Sequence, residues 1–110
     1  MMHKDLAAGR WFELTLFEQL GNIGSEVGRA AHLKGKDDRR FQFAFERALE
    51  LFDLTISDPR WRLRLKEICR AREIFCDAAV GKGEYNTTLE DLDRYFMQYA
   101  LAARRAAGKA

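Results

Sequence analysis

Apolar residues recur at helical spacing along four stretches of the chain, and short polar or glycine-rich breakers separate them. The first stretch, about residues 10–34, places Phe12, Leu16, Leu20, Ile23, Val27 and Ala30 on one face. The second, about 38–57, sets Phe41, Phe45, Ala48, Leu49, Phe52 and Ile56 inward. Trp61, Leu65, Ile68, Phe75, Cys76 and Ala79 form the stripe of the third, about 59–80. In the fourth, about 87–107, the stripe is Leu89, Leu92, Tyr95, Phe96, Tyr99 and Ala103. Short connections force successive helices to reverse direction, so the pattern predicts an all-α fold: one up-down-up-down antiparallel four-helix bundle spanning residues 1–110.

The breakers carry cap chemistry. Gly35-Lys36-Asp37-Asp38 ends the first helix and offers an aspartate cap to the second. In Ser57-Asp58-Pro59 either polar residue can cap, and proline is tolerated in a first helical turn because its missing N–H has no partner there. Gly81-Lys82-Gly83 stops the third helix, and Asn86-Thr87-Thr88 with Glu90-Asp91 starts the fourth. The tail from Arg104 to Ala110 is expected to fray. Inside the first helix, Gly21, Gly24 and Gly28 share one sector, each at a cost of up to about 1 kcal/mol in helix propensity relative to alanine. Two readings stand: close approach of a neighbouring helix or ligand, or a local kink.

Composition narrows the class. The 110 residues hold a single proline, Pro59, and 33% charged residues with a formal net charge of +2, an ordinary surface rather than a polyanion-binding one. Met1 to Gly9 has no long apolar run behind Lys4, and no segment reaches the roughly 20 apolar residues that span a bilayer, so a cytoplasmic location without membrane contact is expected. Cys69 and Cys76 are about 10 Å apart along a helix, beyond the roughly 7 Å limit for a disulfide, and are expected to be small core residues.

Candidate chemistry is sparse. Arg72 points into the third stripe, and its guanidinium stays charged. Glu26 is the preferred carboxylate partner and Glu50 the second; the alternatives are a helix seam with the head in water, or an anion site. Polar strips run along Glu18, Asn22, Glu26 and Arg29 on the first helix and Glu46, Glu50 and Asp53 on the second. Bundle di-metal sites need Glu-x-x-His pairs, which are absent, and the histidines are His3 and His32, so neither metal nor cofactor is expected. A nucleophile elbow, a histidine placed to activate either cysteine and a phosphate-binding glycine loop are lacking too, which argues against an enzyme. Arg60, Arg62, Arg64, Lys66, Arg70 and Arg72 cluster on the third helix, with Arg39, Arg40, Arg104 and Arg105 available nearby. They fit either a phosphate-tracking surface or a solvated face paired to Glu90, Asp91 and Asp93 of the fourth helix.

Two apolar pairs face away from the stripes, Phe43 with Leu54 and Met97 with Leu101, and they predict a self-association surface. The expected role is that of a non-enzymatic homodimer acting through protein–protein contacts, with Glu26, Arg29, Glu50 and Arg72 as an interior or groove polar cluster. The stretches Asn22 to Ala30, Arg47 to Ile56 and Tyr95 to Arg104 resemble small bacterial helical-bundle proteins of unknown function. In size and helix layout the chain is also similar to the HEPN and nucleotidyltransferase substrate-binding bundles. That resemblance implies an accessory bundle that binds nucleotide or RNA and partners a nucleotidyltransferase. HEPN nucleases carry an arginine followed four to six residues later by histidine; Arg29-Ala30-Ala31-His32 departs from that spacing.

Overall fold

The computed structural model describes residues 9–108, and among these it contains four α-helices and no strand: α1 (Leu16–Leu33), α2 (Asp38–Ile56), α3 (Leu65–Val80) and α4 (Leu89–Gly108). Two 3-10 helices precede α1 and α3, at Arg10–Glu13 and Pro59–Arg64. His3 lies outside the described residues.

These 3-10 segments correct the expected first and third helices. Leu14 is extended, and Thr15 caps α1 through a reciprocal capping box, its hydroxyl accepting from the Glu18 N–H at 3.1 Å and its own N–H donating to Glu18 Oε1 at 2.9 Å. The break turns Trp11, rather than Phe12, fully into the core. At Trp61 the backbone leaves helical geometry (φ −103°, ψ 21°), so α3 begins only at Leu65. At the chain's end α4 continues to Gly108 instead of fraying at Arg104, in keeping with the high helix propensity of alanine and arginine.

The expected caps of the other helices are present. Asp37 accepts from the Arg40 N–H at 3.1 Å, and Thr88 and Asp91 exchange bonds across the first turn of α4. Backbone N–H donors from Tyr85 and Glu84 hold the Asp77 carboxyl below its usual range and fasten the loop after α3.

α1 lies between α2 and α4. Ile23, Val27 and Ala30 are fully buried, and they meet Phe45, Ala48 and Phe52 of α2, Ile68, Phe75 and Ala79 of α3, and Leu89, Leu92 and Phe96 of α4 in one core. Phe75 packs between Phe45 and Phe52 at ring distances of 5.4 and 5.8 Å, and Phe96 meets Phe52 edge-on at 5.9 Å. Tyr95, expected inward, is exposed and shares a hydroxyl–hydroxyl bond of 3.0 Å with Tyr99, and Cys69 is half-buried outside the core cluster. Cys76 does pack against the core, where burial pushes its thiol pKa up.

The three glycines of α1 resolve in favour of close approach. A Cβ on Gly24 would sit 2.6 Å from Phe96 Cβ, one on Gly21 3.1 Å from Ala100 Cα, and one on Gly28 2.8 Å from an Asp93 carboxylate oxygen. Residue numbers rise along α1 as they fall along α4, and the helix runs unbroken through all three positions. At Gly21 and Gly24 glycine lets α4 approach where a side chain would hold it off, whereas at Gly28 the near neighbour is the end of the Asp93 side chain.

Candidate functional site

On the other flank of α1 the apolar contacts with α2 are bordered by charged groups. Glu26 is 5% exposed, and its Oε1 accepts from Arg29 at 2.6 Å, with Arg47 of α2 at 3.6 Å. Its second oxygen, Oε2, is buried without a hydrogen-bond partner among the described residues. Above it opens a groove of about 350 Å³ lined by Glu26, Arg29, Leu33, Arg39, Arg40, Phe43, Ala44 and Arg47. A second groove of about 360 Å³ shares Arg29, Leu33 and Arg40 and adds Gly28 and His32. Four arginines against one carboxylate leave the first groove strongly positive, and among the described residues the side chains of Arg39 and Arg40 have no ion-pair partner.

Of the expected polar cluster, the structure joins Glu26 to Arg29 and leaves Arg72 apart. Arg72 Nε donates to Asp53 Oδ1 at 2.9 Å across the α2–α3 seam, in place of Glu26 or Glu50. Asp53 is largely exposed, so the pair is a rim contact worth under about 1 kcal/mol. Glu50 is half-buried on α2, three residues beyond Arg47.

The expected association residues divide. Phe43, Met97 and Leu101 are 54%, 52% and 42% exposed, but Leu54 is only 9% exposed and belongs to the core. α2 is covered from more than one direction, so residues off its first stripe, Leu51 and Leu54, are buried as well. Phe43 faces the arginine groove, whereas Met97 and Leu101 border a different groove of about 360 Å³ between α1 and α4, lined also by Gly21, Gly24, Ser25, Asp93 and Arg104.

Two basic groups of the third segment are paired locally, Arg64 at the start of α3 with Glu67 and Arg70 with Glu73, while Asp91 of α4 takes Arg94 rather than a basic group of α3. Arg62 and Lys66 are exposed.

Sequence reasoning missed the most elaborate polar arrangement, a buried hub where the chain enters α1 and leaves α2. Gln19, fully buried, donates to the Trp11 carbonyl at 3.0 Å and to Asp58 Oδ2 at 3.1 Å, and its Oε1 accepts from Trp61 Nε1 at 2.9 Å. Trp11 Nε1 donates to buried Thr55 at 3.1 Å. Arg60 grips Asp58 at 2.7 Å, donates to the Leu14 carbonyl at 2.7 Å and lies over the Trp61 ring. The Arg60 side-chain bonds hold the Asp58 carboxyl below its usual value; burial opposes them, and the Gln19 and Arg60 backbone bonds add to them. The hub ties both 3-10 segments to α1 and α2, which marks it as structural.

No group of three or more metal-ligating side chains occurs among the described residues, and none of their helices is long and apolar enough to cross a membrane. Comparison with protein-family models, curated proteins and solved structures gives no match. The resemblance to HEPN and nucleotidyltransferase-associated bundles therefore gains no support from relatives.

Proposed function

We propose that the chain is a non-enzymatic, cytoplasmic binding bundle whose helices alternate in direction and which pairs with a second copy of itself through the outer face of α4. The observation that carries this reading is the order of residues bordering the α1–α4 groove. Asp93, Met97, Leu101 and Arg104 follow one another at helical spacing along a single face of α4. A two-fold axis between Met97 and Leu101 sets two such faces antiparallel, with Met97 of one copy against Leu101 of the other and Asp93 opposite Arg104. The order of charged and apolar residues along such a face is self-complementary, which an isologous dimer requires. The floor of glycine and serine leaves room for the apolar side chains of the second copy.

Light scattering after gel filtration tests the proposal. The wild-type chain should run at twice the monomer mass, Met97→Glu should halve that mass without loss of helicity, and Arg104→Asp should weaken pairing that Asp93→Arg in the same chain restores. A wild-type monomer at about 0.1 mM overturns it.

A second reading, a bundle that binds nucleotide or RNA as the accessory of a protein such as a nucleotidyltransferase, is favoured by one observation, the presence near Glu26 of Arg39 and Arg40, which have no ion-pair partner among the described residues.

A further inference from the structure

We infer that the α1–α2 groove is a binding site for a mononucleotide. The inference rests on that second reading, gives it a site and a ligand, and is independent of self-association. Three features of the groove each call for a different part of such a ligand.

Arg39 and Arg40 project from the first turn of α2 without carboxylate partners among the described residues, since the nearby Asp37 accepts from a backbone N–H of that turn. Guanidinium groups in this state suit phosphate oxygens, which they bind through paired, charge-assisted hydrogen bonds. Phosphate alone leaves the rest of the groove unexplained.

Phe43 lies on the same lining, more than half exposed, and offers a flat aromatic surface. Base–aromatic stacking is the contact such a surface makes with a nucleotide. At the floor, Glu26 Oε2 is buried with no hydrogen-bond partner among the described residues, while the other oxygen is held by Arg29. A carboxylate oxygen accepts only, so its missing partner is an N–H or O–H donor, supplied by a base amino group or a ribose hydroxyl. Inorganic phosphate as the dianion lacks the aromatic ring, and a free nucleoside lacks the anion. The groove's volume of about 350 Å³ falls at the small end of ordinary ligand sites, the scale of one nucleotide rather than a polymer, and the adjoining groove past Arg40 extends it for a further phosphate.

Calorimetric titration of the intact chain with ADP, with adenosine and with inorganic phosphate tests the assignment, circular dichroism confirming that each variant is folded. ADP should bind, and adenosine and phosphate should each bind at least about tenfold more weakly. The exposed double variant Arg39→Ala with Arg40→Ala should lose about tenfold or more in ADP affinity, and Phe43→Ala should weaken ADP while leaving phosphate unchanged. No binding of ADP, GDP, CDP or UDP at about 1 mM, or ADP binding indifferent to the arginine pair, overturns the proposal. So does phosphate binding as tightly as ADP, which makes the groove a bare anion site, or a single-stranded RNA that displaces ADP and binds many times tighter, which assigns the arginines to a polymer.

Discussion

α1 is packed differently on its two flanks. Toward α4 it presents Gly21, Gly24 and Gly28, and the seam is closed by backbone proximity, with Phe96 seated against Gly24. Toward α2 it presents Glu26, which meets Arg47 at 3.6 Å beside an open positive groove, and at its N-terminal end Gln19 joins the buried hub of Trp11, Asp58 and Trp61. At Gly21 and Gly24 the glycine seam tolerates almost no added volume but exposes few polar groups. A polar seam holds its geometry only while each buried donor and acceptor is matched, and on this flank Glu26 Oε2 has no partner among the described residues.

The largest effect should follow from breaking the polar flank at its hub. Gln19→Leu keeps most of the volume but strands Trp61 Nε1 and removes one bond each from the Trp11 carbonyl and Asp58, and should lower unfolding stability by about 2–4 kcal/mol in urea titration. On the glycine flank, Gly24→Ala forces Phe96 or a whole helix to shift, and the strain should exceed the propensity gain, for a net loss of about 1–2 kcal/mol. Gly28→Ala sharpens the comparison. Its added methyl meets only the end of the Asp93 side chain, which can swing aside, so the change should stay within about 1 kcal/mol. Equal losses at Gly24 and Gly28 would contradict the packing argument.

Acid should act on the polar flank. Asp58 has a depressed folded-state pKa, so its contribution is fully present above its usual value of 3.8 and is lost as pH falls through the lower folded value. Urea midpoints measured from pH 6 to pH 2 should fall more steeply for the wild type than for Asp58→Asn below about pH 4. The smallest effect belongs to Arg72→Ala, under about 1 kcal/mol, because the Asp53 pair stands at the rim.

The helix count and most of the core are legible in the sequence because they follow from spacing along one helix, whereas the glycines of α1 left close approach and a kink equally open until α4 was placed against them. Thr15-x-x-Glu18 was a readable start signal, but the periodicity from Phe12 to Leu16 runs across it and conceals the break. Leu54 was misplaced because a wheel with one inward direction fails for a helix covered from more than one side. The same wheel shows that Arg72 needs a neighbour without showing which, and Asp53, on α2's polar strip, was the carboxylate across the seam. The Gln19 hub joins residues 39 to 44 positions apart, contacts that periodicity does not encode. Glu26 and Arg29 were named as members of a polar cluster, though with Arg72 rather than Arg29 as the partner of Glu26, while Arg39, Arg40 and Arg47 join them only through the packing of α2 on α1.

Native mass spectrometry of the intact chain with graded ADP tests most directly whether the two flanks do separable work. The account predicts a dimer carrying one nucleotide per protomer, Arg104→Asp monomers that still bind ADP, and Arg39→Ala/Arg40→Ala dimers that do not. A bare wild-type monomer, or a single variant that loses pairing and nucleotide together, would contradict it.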